Sequence, residues 1–297
     1  MKVVITGASG FIGRRLLKTL SQRGHSLHVL SRHAGTNLPP GVGISVWDAM
    51  KGAPPLDALR GADAVVHLAG EPVAQKWTPE AKRAIRESRV TGTRHLVEAI
   101  SQLEPKPALI CSSATGYYGS RGDTALDEGS PAGSGFLADV CVDWEREAFA
   151  AHAAGARVAV IRTGVALDPR GGALQRMLPP FRLGLGGPLG TGKQWMSWVH
   201  LEDLVDIYVF ALEKEVSGVL NGTAPNPVTN AEFTRELAAA LHRPAILPVP
   251  KLPLKLAFGE MAGMLFDSQR VLPKQTQSAG FEFRYPRLDG ALKDLLR

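Results

Sequence analysis

Eight residues near the N-terminus, Thr6-Gly7-Ala8-Ser9-Gly10-Phe11-Ile12-Gly13, carry the clearest chemical pattern in the chain. They follow the apolar run 2–6 (KVVIT) and open a segment, 11–23, whose spacing predicts a helix closed by Gly24. In a strand–turn–helix setting the glycines have separate tasks. Gly7 allows the tight turn, Gly10 lets the backbone approach a pyrophosphate, and Gly13 lets helix and strand pack closely. The helix N-terminus adds unpaired N–H groups and a positive dipole end, so the expected chemistry is the binding of a phosphate-bearing dinucleotide.

The end of the next strand, 26–30, should select the cofactor. An acid there would hold a ribose 2′-hydroxyl, whereas an arginine suits a 2′-phosphate. The chain has Ser31-Arg32-His33 and no acid before Asp48. Arg32 offers multidentate hydrogen bonds to phosphate and Ser31 can add one, so NADP(H) is expected in preference to NAD(H).

These residues require a scaffold. Short apolar runs at 44–47, 64–68, 108–111 and 157–161 continue the strand series, with helical patterns over 79–103 and 137–154 between them. Strands separated by helices imply right-handed βαβ units and a parallel sheet. The alternation fades after Ile161. Residues 168–200, rich in glycine and aromatic or cationic side chains, are expected as a loop over the cleft. Lys193, Trp195 and His200 would reach from it towards a substrate, and its glycines would permit closure. A helix over 201–212 and a strand over 218–221 follow, then helices over 230–241 (Asn230 at the N-cap), 254–266 and 289–296. The expected fold is α/β: a Rossmann-type doubly wound parallel sheet over 1–225, with a small, mainly helical C-terminal substrate domain over 226–297.

Thirty-four Lys and Arg against 28 Asp and Glu give a net charge of +6 over 297 residues. Residues 1–50 alone hold six basic side chains and one acid, beside the proposed dinucleotide site. No basic stripe with interleaved aromatics marks a nucleic-acid binder. No run approaches the ~18 apolar residues of a membrane span, and with a strand-and-glycine pattern from the start a cleaved signal peptide is not expected. Cys111 and Cys141 form no disulfide framework and have no metal-ligand spacing, so both are expected as buried, reduced thiols in a cytoplasmic compartment. The expected partner is a small-molecule substrate, with no nucleic acid, membrane or metal.

TGASGFIG, HLAG at 67–70, SSATGYYG at 112–119 and IRTGVALDPRGG at 161–172 resemble the extended short-chain dehydrogenase/reductases. GLGGPLGTGKQWMSWVHLEDL (184–204), NGTAPNPVTNAEF (221–233) and SQRVLPKQ (268–275) narrow the likeness to an atypical group of that NAD-dependent epimerase/dehydratase family, with its C-terminal domain of unknown function. The resemblance spans essentially the whole chain and implies bound NADP(H) and a cleft between the sheet and the C-terminal part. It places Ser9, Gly10, Phe11 and Ile12 at the pyrophosphate, Leu68, Ala69 and Gly70 at the adenine-side ribose, and Arg162 to Val165 at the nicotinamide side.

The usual chemistry of that superfamily needs a tyrosine with a lysine four residues later, on one face of a helix. Tyr117, Tyr118, Tyr208 and Tyr285 are followed four residues on by Arg121, Gly122, Leu212 and Asp289, and no lysine lies between Lys106 and Lys193. Anchoring on Trp144-Glu145, which resembles the acid after the family's active-site helix, puts Leu137 and Cys141 at the two positions. Three readings stay open. One is a redox enzyme whose proton donor is Ser113, Thr115, Tyr117 or Tyr118, with Ser113 and Tyr117 leading. Another is chemistry supplied from the 168–200 loop, and the third a non-catalytic NADP(H)-dependent sensor.

Overall fold

A computed structural model describes residues 1–34 and 38–297. The first half runs β1 (Lys2–Thr6), α1 (Phe11–Gln22), β2 (Ser26–Ser31), β3 (Gly43–Val46), the single turn α2 (Leu56–Leu59), β4 (Ala64–His67), α3 (Pro79–Ser101) and β5 (Ala108–Ala114). A 3-10 turn over Thr115–Tyr118 leads to the short β6 (Ala125–Leu126) and then α4 (Phe136–Ala153). Next come β7 (Val158–Thr163), β8 (Val165–Asp168), α5 (Gly172–Arg182), β9 (Trp195–Met196), β10 (Trp198–His200), α6 (Leu201–Glu213) and β11 (Gly218–Gly222). The tail holds β12 (Val228–Thr229), α7 (Asn230–Ala240), α8 (Lys251–Phe258), β13 (Arg270–Val271), α9 (Lys274–Ser278) and α10 (Leu288–Leu295).

Seven strands form one parallel sheet in the order β11-β7-β5-β4-β1-β2-β3. Their near-continuous apolar runs suit a sheet covered on both faces. Leu16 and Leu20 of α1 meet Leu204 and Tyr208 of α6 on one face, while Leu96 and Ile100 of α3 meet Trp144 and Ala148 of α4 on the other. Strand order reverses at β1, so the loops after β1 and β4 diverge and open a crevice at the strands' C-terminal ends. The expected Rossmann-type sheet is the observed one.

Two details differ from the sequence reading. The 168–200 segment contains α5, even though Pro179 and Pro180 lie inside it. Its Leu174, Leu178 and Phe181 join Phe233, Leu237, Leu288 and Leu292 in one core cluster, and that burial outweighs the helix-breaking effect of proline. The N-cap of α7 is Thr229, in a capping box with Glu232, while the Asn230 side chain accepts from the Leu189 amide at 2.7 Å. Arg15 pairs with Glu202, and Arg23 with Glu213 and Asp206, tying α1 to α6. Among the described residues no helix is long and apolar enough to cross a membrane.

Candidate functional site

The glycine loop sits at the point where the strand order reverses, and its geometry explains each glycine. Gly7 has φ +69°, and a Cβ there would lie 2.7 Å from the carbonyl carbon of Leu68. A Cβ on Gly13 would lie 2.2 Å from the Gly7 oxygen. Gly10 is the N-cap of α1, with no side chain capping the helix and no acid in its first turn. Ser9 and Gly10 are exposed and Phe11 and Ile12 half-buried, so the first N–H groups of α1 open towards the crevice. An uncapped helix start with this backbone crowding fits a pyrophosphate.

His67 ties the second loop to the first. Thr6 Oγ1 accepts from the amides of Leu68 and Ala69, both at 3.2 Å, and donates to His67 Nδ1 at 2.7 Å. The other ring nitrogen then donates to Thr93 Oγ1 at 3.1 Å. Burial, aided by the nearby Arg89 charge, pushes the imidazole pKa down to about 4, so it stays neutral. Leu68, Ala69 and Gly70 are thereby fixed beside Gly7. At the end of β2, Ser31 Oγ accepts from the His33 amide and Arg32 is exposed, within electrostatic reach of Asp48.

The reactive side is built differently. Leu137 and Cys141 of α4 pack over Gly116, where a Cβ would lie 3.3 Å from Leu137 Cβ and 3.9 Å from Cys141 Sγ. Burial pushes the Cys141 thiol up to about 11. Ser113 lies beside them at the end of β5, but it is 3 % exposed and its hydroxyl donates to Glu145 Oε1 at 2.6 Å. Arg162 reaches the same carboxylate from β7 with two hydrogen bonds, at 2.9 and 2.8 Å, and donates to the Tyr118 hydroxyl at 3.0 Å. Burial opposes the charge on Arg162, but Glu145 outweighs it and holds the guanidinium above its usual value. Tyr118 in turn donates to Asn221 Oδ1 at 2.8 Å, and burial pushes its pKa up to about 12. Tyr117 stacks on Arg162, with the guanidinium carbon 3.4 Å from the ring centre, and its hydroxyl makes no hydrogen bond to the described residues.

The structure separates the three residues expected to reach from the 168–200 segment. Lys193 is exposed. Trp195 donates to Asp123 at 2.8 Å and carries the Arg270 guanidinium over its ring. His200 is 2 % exposed. It caps α6 by accepting from the Glu202 amide, faces Asp294 and stacks on Tyr285 at 3.9 Å. That is a structural seam rather than a cleft wall.

Arg89, on α3, was not singled out from the sequence. Its guanidinium carbon would stand 3.0 Å from a Cβ on Gly70, over the Trp144 ring and in the field of Cys141. Its two hydrogen bonds to described residues leave from Nη1, to the carbonyls of Glu71 and Ile85. Burial lowers its pKa, and no described carboxylate is hydrogen-bonded to it. The legible signal was its helical spacing from the buried Ile85, Leu96 and Ile100, on a helix otherwise polar on its outer face. Glu145 and Asn221 were legible only as parts of a likeness. A cleft of 310 Å³ lined by Lys82, Arg86, Thr91 and Phe136 includes no residue of the glycine loop.

The parallel sheet with a glycine loop at its switch point defines a Rossmann-type domain. The chain belongs to the NAD dependent epimerase/dehydratase family, whose model matches residues 3–223; residues 249–295 match a domain of unknown function, DUF1731. An epimerase family protein SDR39U1 homolog, chloroplastic, from Arabidopsis thaliana is 42% identical over 308 residues, covering 100% of this chain and 87% of the relative. The human epimerase family protein SDR39U1, solved with NADPH, superposes with a TM-score of 0.88 at 37% identity, over 100% of this chain and 99% of that one. A nucleoside-diphosphate sugar epimerase from Corynebacterium glutamicum gives 0.80 at 39% identity, over 100% of this chain and 58% of that one.

Proposed function

We propose that this protein is an NADP(H)-dependent oxidoreductase or epimerase-like enzyme acting on a small carbonyl or hydroxyl substrate, a nucleotide sugar being one class that fits. The open, uncapped start of α1 between crowded glycines carries the reading. Its first amides would hold the pyrophosphate, and Ser31 and Arg32 the 2′-phosphate. The human relative solved with NADPH supports this choice of cofactor. When bound, the nicotinamide supplies a hydride acceptor or donor.

Arg89 provides the positive charge that a lysine at the Cys141 position would otherwise bring, from α3 instead of α4. Its remaining donors, beside Gly70, suit the oxygens of a ribose. Tyr117 is the proton donor this arrangement favours, because its phenol is uncommitted while Ser113 and Tyr118 are held in the Glu145–Arg162 network. The two buried thiols fit a reducing, cytoplasmic compartment.

Tryptophan-fluorescence titration is expected to show NADPH preferred over NADH. Arg32→Ala should remove the preference, and Arg89→Met should weaken NADPH about tenfold or more, with partial rescue by Arg89→Lys. In a carbonyl and nucleotide-sugar panel, Tyr117→Phe should slow NADPH consumption by about 10²-fold. Equal affinity for both cofactors would sink the cofactor assignment. A second reading, a non-catalytic NADP(H)-dependent sensor, is favoured by Leu137 and Cys141 standing in place of the pair. Tight NADPH binding without turnover on any substrate would select it.

A further inference from the structure

Two segments of this chain are basic and free of acids. Residues 171–201 and 237–259 contain Arg176, Arg182, Lys193, Arg243, Lys251 and Lys255 and no acid. The fold brings the two segments side by side. Arg243 Nε donates to the Arg182 carbonyl at 2.9 Å, the Val249 amide to Pro188 at 2.8 Å and the Gly190 amide to Val249 at 2.9 Å. The same surface presents large apolar side chains to water: Leu183 at 74 %, Leu185 at 70 %, Ile246 at 81 %, Leu247 at 76 %, Leu252 at 68 % and Leu256 at 80 % exposed. Exposed apolar patches of this kind mark an interaction surface.

We propose that this face lies against an anionic phospholipid bilayer. On α8, Leu252 and Leu256 share one side at i, i+4, and Lys251 and Lys255 flank it at the same spacing. Apolar side chains that enter the acyl boundary, rimmed by cations facing the headgroups, characterise helices lying in the plane of a membrane surface. Arg182 and Arg243 extend the cationic rim beside the second leucine pair, Leu183 and Leu185. A second copy of the chain fits less well, because two such acid-free segments would set like charges against like. The leucines also protrude, which suits a deformable apolar medium. Absence of a spanning helix bears on crossing a bilayer, not on resting against one. None of the four residues altered below belongs to the glycine loop or to the Glu145–Arg162 network, so failure here leaves the cofactor reading untouched.

The test is flotation of the full chain with vesicles of phosphatidylcholine alone or with added phosphatidylglycerol. Wild type should float with the anionic vesicles only, and high salt should release it. Lys251→Ala/Lys255→Ala should lower the partition coefficient about 25-fold, at roughly fivefold per cation. Leu252→Asp/Leu256→Asp should abolish flotation while retaining the thermal midpoint and NADPH titration of wild type. No flotation with anionic vesicles would overturn the proposal, as would flotation that both double variants leave unchanged. A wild-type dimer that Leu252→Asp/Leu256→Asp converts to monomer, with no vesicle binding, would assign the face to a second copy and overturn it too.

Discussion

The cofactor half and the reactive half of the crevice solve the same problem by opposite means. Around β1, α1 and β4 the site is backbone: glycines, amide groups and a carbonyl, with one neutral histidine–threonine chain holding two loops together. Around β5, α4 and β7 it is side chains: a carboxylate, a guanidinium, a serine hydroxyl and the Tyr118 phenol, buried and committed to one another, with Tyr117 stacked on the guanidinium. A backbone site tolerates little change in residue type, because any Cβ collides. A side-chain network can be rewired without loss of the fold, and in this one Leu137 and Cys141 of α4 pack over Gly116.

The comparison breaks most readily at Arg162. Replacing it with Met strands the Glu145 carboxylate in the interior, which should cost about 3–5 kcal/mol, whereas Glu145→Gln/Arg162→Met should recover much of that loss. Urea denaturation of both variants is the check. A single-variant cost within error of zero would mean that the network does not hold the reactive half together.

On the cofactor side, His67 should show in the pH dependence. Its folded value of about 4 lies below the usual 6.5, so as pH falls from 6.5 towards 4 the unfolded chain takes up the proton first. Stability should therefore drop by about 3 kcal/mol across that window and lose nothing more from this group below it. His67→Gln should flatten the slope. Denaturation midpoints for both proteins between pH 7 and pH 4 would reveal whether it does.

The smallest expected effect is at Cys141. With its thiol near 11 and that of Cys111 pushed up by burial as well, roughly one Cys141 in a thousand is ionised at pH 8. Neither thiol should react with a disulfide reagent until the protein is denatured. Rapid labelling of the native protein would show the reactive half to be looser than its hydrogen bonds suggest.

Much of the cofactor half was legible in the sequence, because a glycine loop between strand and helix acts through neighbours in the chain. The absence of a Tyr–Lys pair was equally legible. Other elements were not. Two prolines and the glycines around α5 read as a loop, and only its burial against α7 and α10 makes it a helix. His200 read as a cleft residue, yet it caps α6 and stacks on Tyr285, a partner 85 positions away in the chain. Arg89 was hidden for the converse reason. A cation on a helix reads as solvated until the tertiary fold turns it inward, towards Gly70.

By itself, the sequence determined the sheet, the anion-binding start of α1 and the absence of the usual catalytic pair, since each follows from local pattern or a plain count. Tertiary structure alone decided that Ser113 is tied to Glu145, that the Tyr117 phenol over Arg162 makes no hydrogen bond to the described residues, and that Arg89 is turned inward beside Gly70. The physical reason is range. Backbone conformation is set by adjacent residues, whereas the environment of a buried charge is set by whichever distant groups the fold packs around it.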